Sequence, residues 1–258
     1  MNKRLLLLLT ILIVLSAGIL VAMPVIRKLT VSLPASPAVA AETETFPAAD
    51  LAVLEELGGL FHRLDNITAF EVTGTVTAFD PSDGAGKVQM DYRYARLDSL
   101  VYYQLGQQET VSNTEMLLMI DHKAEKIFVS GPQRFSPGLF PSSTILANFL
   151  TGEGYNISRK TKGGLNWIIL QRPNHISCKD YRVGFDQAGF IRQTFMRITD
   201  ISDPLNDAKD KIMEATADRW TIADPAGATF DVTRFVTRSQ GGLTPAPAYK
   251  NYALILTQ

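Results

Sequence analysis

From Ala69 the chain alternates with a period of two: Phe70, Val72, Gly74, Val76 and Ala78 are interleaved with Glu71, Thr73, Thr75 and Thr77. A pleated strand sends successive side chains to opposite faces, so this pattern predicts a strand with one face buried. The residues Pro81, Ser82, Asp83 and Gly84 have turn chemistry, and after them Val88, Met90, Tyr92 and Tyr94 alternate with Lys87, Gln89, Asp91 and Arg93. The two runs are expected to pair as an antiparallel hairpin.

Further strands are expected at Leu100–Leu105, Glu115–Ile120 and Lys126–Ser130, the last two joined by a polar turn at Asp121, His122 and Lys123. A second block follows at Asn156–Lys160, Leu165–Gln171, Asp180–Phe185 and Phe190–Thr199, with a turn at Asp186–Gly189. Beyond a polar loop at Asp203–Asp210, Lys211–Ile222 alternates weakly and is assigned to a strand. Gly241–Pro247 is expected to be a flexible loop, and Tyr249–Thr257 a closing strand. Two helices complete the pattern. Asp50 is expected to cap one running to Leu64, in which Val53, Leu54, Leu57, Leu60, Phe61 and Leu64 recur at spacings of three and four, the stripe of a half-buried helix. Pro141–Leu150 predicts a short mid-chain helix with Ile145, Leu146, Phe149 and Leu150 on its apolar side. The expected class is mainly β (α+β): a single curved antiparallel sheet or half-barrel with an N-terminal amphipathic helix and a short mid-chain helix, preceded by one transmembrane helix.

That preceding helix is read from Leu5–Met23, nineteen consecutive residues without a charge. As a helix they would extend roughly 28 Å, the hydrocarbon thickness of a bilayer. Residues 1–28 are therefore expected to be a membrane anchor or signal segment, 29–48 a flexible Pro/Ala-rich linker, and 49–258 an exported β-rich domain. A cleavable signal is the competing reading, with Ala38, Val39 and Ala40 as its small-residue site, but these lie well beyond the apolar run and favour an anchor. The expected location is the cell envelope, anchored in the inner membrane with the domain on the periplasmic side, or secreted into the periplasm if the signal is cleaved. Lys3 and Arg4 before the run are matched by Arg27 and Lys28 after it, so charge leaves the orientation open.

Composition narrows the function. With 25 Lys and Arg against 26 Asp and Glu, no net field attracts phosphates over a broad face, which argues against a nucleic-acid partner. Cys178 is the single cysteine; it excludes an intrachain disulfide, a paired-cysteine zinc or redox motif, and a lipidated cysteine after the apolar run. His62, His122 and His175 fall on a polar helix side, in a turn and in a loop. No nucleophile elbow is present, and Gly163-Gly164 and Gly241-Gly242 do not sit between a strand and a helix as a phosphate cradle requires. The expectation is a non-enzymatic chain without cofactor or metal; a close histidine–carboxylate pair in a pocket would revive an enzyme.

The stretches FEVTGTVTAF, GKVQMDYRYAR and MLLMIDHKAEKIFV, following an amphipathic helix and followed by a mid-chain helix and more strands, resemble the bacterial lipoprotein carriers and receptors of the outer-membrane localisation pathway, the LolA/LolB-like family. The resemblance covers about Leu51 to Ile198. It implies an open, curved half-barrel with helices over its mouth, and a hydrophobic ligand such as a lipid or the acyl chains of a lipoprotein. The chain departs from that family in two ways: the carrier is soluble whereas an anchor is expected here, and the receptor is lipidated on a cysteine this chain lacks.

Methionine and aromatic side chains make adaptable apolar walls. Met90, Tyr92, Tyr94, Met116, Leu118, Trp167, Phe195 and Met196 are accordingly the candidate ligand-binding residues, although any β-domain needs many such residues to fill its core. The expected partners are the membrane, through the N-terminal helix, and a lipid or lipoprotein ligand. The alternative is a structural or protein-interaction module docking on another envelope protein.

Overall fold

The computed structural model describes residues 48–82, 86–133, 135 and 154–257. The expected anchor, most of the linker and the mid-chain helix at 141–150 lie outside the described residues. Among the described residues no helix is long and apolar enough to cross a membrane.

Helix α1, Ala48–Asn66, begins two residues before the expected cap, which puts Asp50 inside its first turn, where a carboxylate complements the helix dipole. Leu57, Leu60, Phe61 and Leu64 are buried on the predicted stripe. The far end is closed by Arg96, whose guanidinium donates to the carbonyls of Leu64, Asp65 and Ile67 and lies over the Phe70 ring, 5.1 Å from its centroid. The Leu64 and Asp65 carbonyls belong to the last turn, whose C=O groups have no i+4 amide within the helix to accept from.

Among the described residues fourteen strands follow. β1 (Ala69–Phe79) pairs with β2 (Val88–Leu97) in the predicted hairpin, with Val76 opposite Met90 and Val72 opposite Tyr94. β3 (Leu100–Leu105), β4 (Gln108–Ser112), β5 (Leu117–Asp121) and β6 (Lys126–Ser130) continue the meander. β7 (Asn156–Lys162), β8 (Leu165–Gln171), β9 (Cys178–Phe185), β10 (Ile191–Ile198) and β11 (Lys211–Thr221) form a second meander. β11 returns to pair with β1, so the weakly alternating run becomes a central strand. The two meanders thus join as eleven strands of one twelve-stranded sheet with β7 at one edge; the sheet is open rather than closed into a barrel.

Three features differ from expectation. β4 was not foreseen, because Gln108-Glu109-Thr110-Val111-Ser112 lacks an apolar alternation. The expected loop at 241–247 contributes a strand, since β12 (Val236–Ser239) and β13 (Gly242–Pro245) form a hairpin of their own. The closing strand, β14 (Ala253–Leu256), adds to β6 in parallel rather than antiparallel, at the second edge of the sheet.

The β1–β11 seam depends on Gly74. The register slips at Thr73/Gly74, and a Cβ on Gly74 would overlap the Thr216 carbonyl oxygen. A glycine here lets two backbones approach across a bulge.

Two apolar clusters lie on opposite faces. The first packs α1 onto the inner face, with Phe70, Val72, Tyr94, Ile168, Leu170 and Val183 among its buried members. The second packs Phe230, Val232, Phe235 and Val236 of the C-terminal segment onto the outer face, against Tyr102, Val111, Leu118, Ile120, Ile127 and Val129. Among the described residues each half of the sheet is therefore covered mainly on one side.

Candidate functional site

Strand register traces one row of side chains along the inner face: Val72, Tyr94, Tyr103, Thr110, Met119, Phe128 and Ile255 stand opposite one another from β1 to β14. Its first members are inside the α1 core. Tyr103 is half-buried at the edge of that core, and Met119 and Phe128 are half-buried and belong to neither packed cluster. Leu105, opposite Tyr92, lies beside this row, and Met90 flanks the neighbouring Gly106. The chain leaving β6 crosses the same face: Phe135 packs on Tyr103 with ring centroids 5.9 Å apart, and Ser112 Oγ donates to the Gln133 carbonyl at 2.8 Å. Burial pushes the phenols of Tyr103 and Tyr92 far up and that of Tyr94 to about 12. The row is uncharged at neutral pH, a surface suited to apolar contact.

The eight expected ligand residues do not converge on this row. Met90, Tyr92, Tyr94 and Met196 are on the inner face, but Tyr92 and Tyr94 are 3% and 6% exposed within the α1 core. Met116 and Leu118 are buried on the outer face under the C-terminal segment. Phe195 lies on the outer face of the other half, under the Arg182 guanidinium at 4.6 Å from its centroid. Trp167 shares that outer face, close against Gly184 and with its indole N–H donating to the Lys162 carbonyl at 3.3 Å. Tyr103, Leu105, Met119 and Phe128, which lie on the row or beside it, are not among the eight. Register would have found them, since Met119 rather than Leu118 has the parity of Tyr94.

The polar clusters are built differently. Glu109 on β4 accepts from the Tyr102 hydroxyl at 2.8 Å through one oxygen and meets His122 Nε2 at 2.7 Å through the other. His122 Nδ1 lies 3.0 Å from the Tyr252 hydroxyl. This is a histidine–carboxylate pair, but both ring nitrogens are engaged, and what they join is the β5–β6 turn, β4 and the C-terminal segment. His175 Nδ1 accepts from the backbone N–H groups of Ser177 and Cys178 at 3.2 and 3.0 Å, with Ser177 Oγ at 3.1 Å. A ring nitrogen occupied by two amides organises its loop and is poorly placed to take a proton from the serine. Burial pushes the Cys178 thiol up to about 12, away from the thiolate that nucleophilic chemistry needs. Among the described residues no group of three or more His, Cys, Asp or Glu side chains is arranged to hold a metal ion.

An open, mainly antiparallel sheet with, among the described residues, one long helix across part of its inner face defines the fold class. No family model and no curated protein matches the sequence. Solved structures similar to it include an uncharacterized conserved protein from Thermus thermophilus, with 7% identity, 81% of this chain and 99% of that chain covered and a TM-score of 0.43. A LolA superfamily protein from Nitrosomonas europaea shows 11% identity, coverage of 70% and 97%, and a TM-score of 0.31. A putative outer membrane lipoprotein-sorting protein domain from Vibrio parahaemolyticus shows 11% identity, coverage of 65% and 91%, and a TM-score of 0.29. The Nitrosomonas europaea protein bears the name of the group that the strand pattern resembles. Likeness at this level assigns no role to any residue of the chain.

Proposed function

We propose that the chain is an envelope-associated, non-enzymatic domain that holds an apolar ligand, a lipid or the acyl chains of a lipoprotein, against the inner face of β2–β6. The observation that carries this reading is the row Tyr103–Met119–Phe128: half-buried, uncharged, in register across four strands, and continuing the inner surface past the region that α1 fills. Methionine and aromatic rings adapt to chains of varying shape, and acyl chains need area rather than directed polar groups. Of the residues expected from sequence, Met90 on β2 remains a candidate for the wall, Tyr92 and Tyr94 support it from within the core, and Met196 on β10 packs on the α1 core in the other half of the sheet.

The test is mass spectrometry of the organic extract of protein purified from a bacterial envelope, paired with Met119→Lys and Phe128→Ser variants. Co-purifying lipid that falls at least fivefold in both variants, with thermal unfolding little changed, is the expected result. A lipid-free protein that also fails to release an apolar dye on addition of fatty acid would end the proposal.

A further inference from the structure

Ile176, Ile201 and Leu205 are 76%, 86% and 84% exposed. Ile176 sits between β8 and β9, and Ile201 and Leu205 between β10 and β11, so both loops leave the same end of the sheet. They are bonded to each other: Thr199 N–H donates to the Ser177 carbonyl at 3.0 Å and Thr199 Oγ1 to the His175 carbonyl at 2.6 Å. They are also held in shape. His175 Nδ1 organises the first loop; in the second, Asp200 accepts from Ser202 N and Oγ, and Lys209 pairs with Asp203 at 2.9 Å. Isolated exposed aliphatics are ordinary, but three on two cross-bonded loops form a surface for an apolar partner.

The direction of α1 says which partner. Its C-terminal end is capped by Arg96, and Arg63 donates to the Ala188 carbonyl in the β9–β10 turn at 2.6 Å; both contacts are at the opposite end of the sheet. From there the helix runs back over the sheet, with Glu56 pairing at 2.9 Å with Arg159 midway along β7, so its opening turns, where Leu51 is 47% exposed, point away from the β9–β10 turn and toward the end that carries the three aliphatics. The uncharged run Leu5–Met23 precedes that helix in sequence. Of the acidic side chains of the second loop, Asp203 pairs with Lys209, and Asp207 and Asp210 each pair with Lys179 and Arg197, which offsets three of the carboxylates; Asp200 is held by Ser202 N and Oγ.

We propose that this end of the domain is a membrane-contact surface, on which Ile176, Ile201 and Leu205 enter the acyl boundary of the bilayer and fix the orientation of the sheet above it. The proposal rests on the membrane association read from Leu5–Met23 and is independent of a ligand on the inner face. Insertion is driven by apolar contact, so it is insensitive to salt and to anionic lipid.

The test uses the full-length chain in phosphatidylethanolamine/phosphatidylglycerol vesicles, with Cys178→Ser and one environment-sensitive fluorophore on Ile176→Cys, Ile201→Cys or Leu205→Cys. Ile222→Cys, which follows β11 at the opposite end and is 53% exposed in the native chain, is the control. Lipids brominated on their acyl chains are expected to quench the three loop positions at least threefold more than the control. Equal or absent quenching in protein that floats with the vesicles overturns the contact while leaving attachment intact; failure to float overturns attachment and the contact with it. A photo-crosslinker at Ile201→Cys that captures a protein and no lipid in cells also overturns it. An Ile201→Ser/Leu205→Ser variant with unchanged thermal unfolding is expected to lose quenching at Ile176→Cys about tenfold, which separates insertion from folding.

Discussion

His122 Nε2 and Glu109 Oε1 are 2.7 Å apart, and the pair joins strand β4 and the β5–β6 turn to the C-terminal segment through Tyr252. Glu109 is 9% exposed, and a charge that far from water is tolerated only with its partners in place. His122→Ala is expected to cost about 1–3 kcal/mol in denaturant unfolding. Hydrogen exchange should speed up in residues 227–256 while α1 stays protected. Uniform loss of protection across the domain would show that the pair is not a local tie.

Lys179 is buried as well, at 3% exposure. Its ammonium donates to Asp207 at 2.9 Å and Asp210 at 3.1 Å, and Arg197 holds the second Asp210 oxygen at 2.7 Å. Asp210 is 0% exposed, so Lys179→Met should cost about 3–5 kcal/mol by leaving that carboxylate undercompensated. Burial lowers the lysine pKa, but the hydrogen bonds to Asp207 and Asp210 outweigh it and leave the group raised; the hydrogen bond from Lys179 lowers Asp207. The raised lysine contributes stability present below about pH 10.4 and lost as pH rises through its folded pKa. The lowered aspartate contributes stability present above about pH 3.9 and lost as pH falls through its folded pKa. Unfolding midpoints measured against pH should decline at both extremes, and Lys179→Met should flatten the alkaline arm.

Two glycine substitutions should act in opposite directions. Nothing lies within 4 Å of a Cβ on Gly59, in the exposed middle of α1, so Gly59→Ala is expected to stabilise by about 0.5–1 kcal/mol. Gly74→Ala meets the Thr216 backbone and should destabilise by more than about 2 kcal/mol, or prevent folding. Thermal unfolding of the two variants checks the order.

Cys178 should be silent toward alkylating reagents in the folded protein at pH 8. With the thiol raised to about 12, the thiolate fraction is of order one in ten thousand. Iodoacetamide modification is expected to follow unfolding in denaturant; rapid modification of native protein would contradict the burial of this group.

Most of the sheet was legible because one buried face imposes a period of two, and α1 because its stripe recurs at three and four. What escaped lacked such a signature. Glu109 and Thr110 give β4 a polar sequence, since its outer face feeds a hydrogen-bonded cluster. The parallel seat of β14 on β6 is a long-range pairing that no local spacing encodes. The candidate site was only partly legible for the same reason. Choosing residues by type brought together Tyr94, Leu118 and Phe195, whereas strand parity separates them onto different surfaces, and overlooking β4 removed the step that carries parity from Tyr103 to Met119.

The central claim is that apolar chains lie along the inner face beyond α1. Photolabelling of the full-length protein with a diazirine fatty acid, followed by peptide mapping, tests it most directly. Adducts are expected on β3, β5 and β6 at Tyr103, Met119 and Phe128, and suppressed by excess unlabelled fatty acid. Adducts confined to the outer face at Trp167 and Phe195, or none that compete, would contradict it.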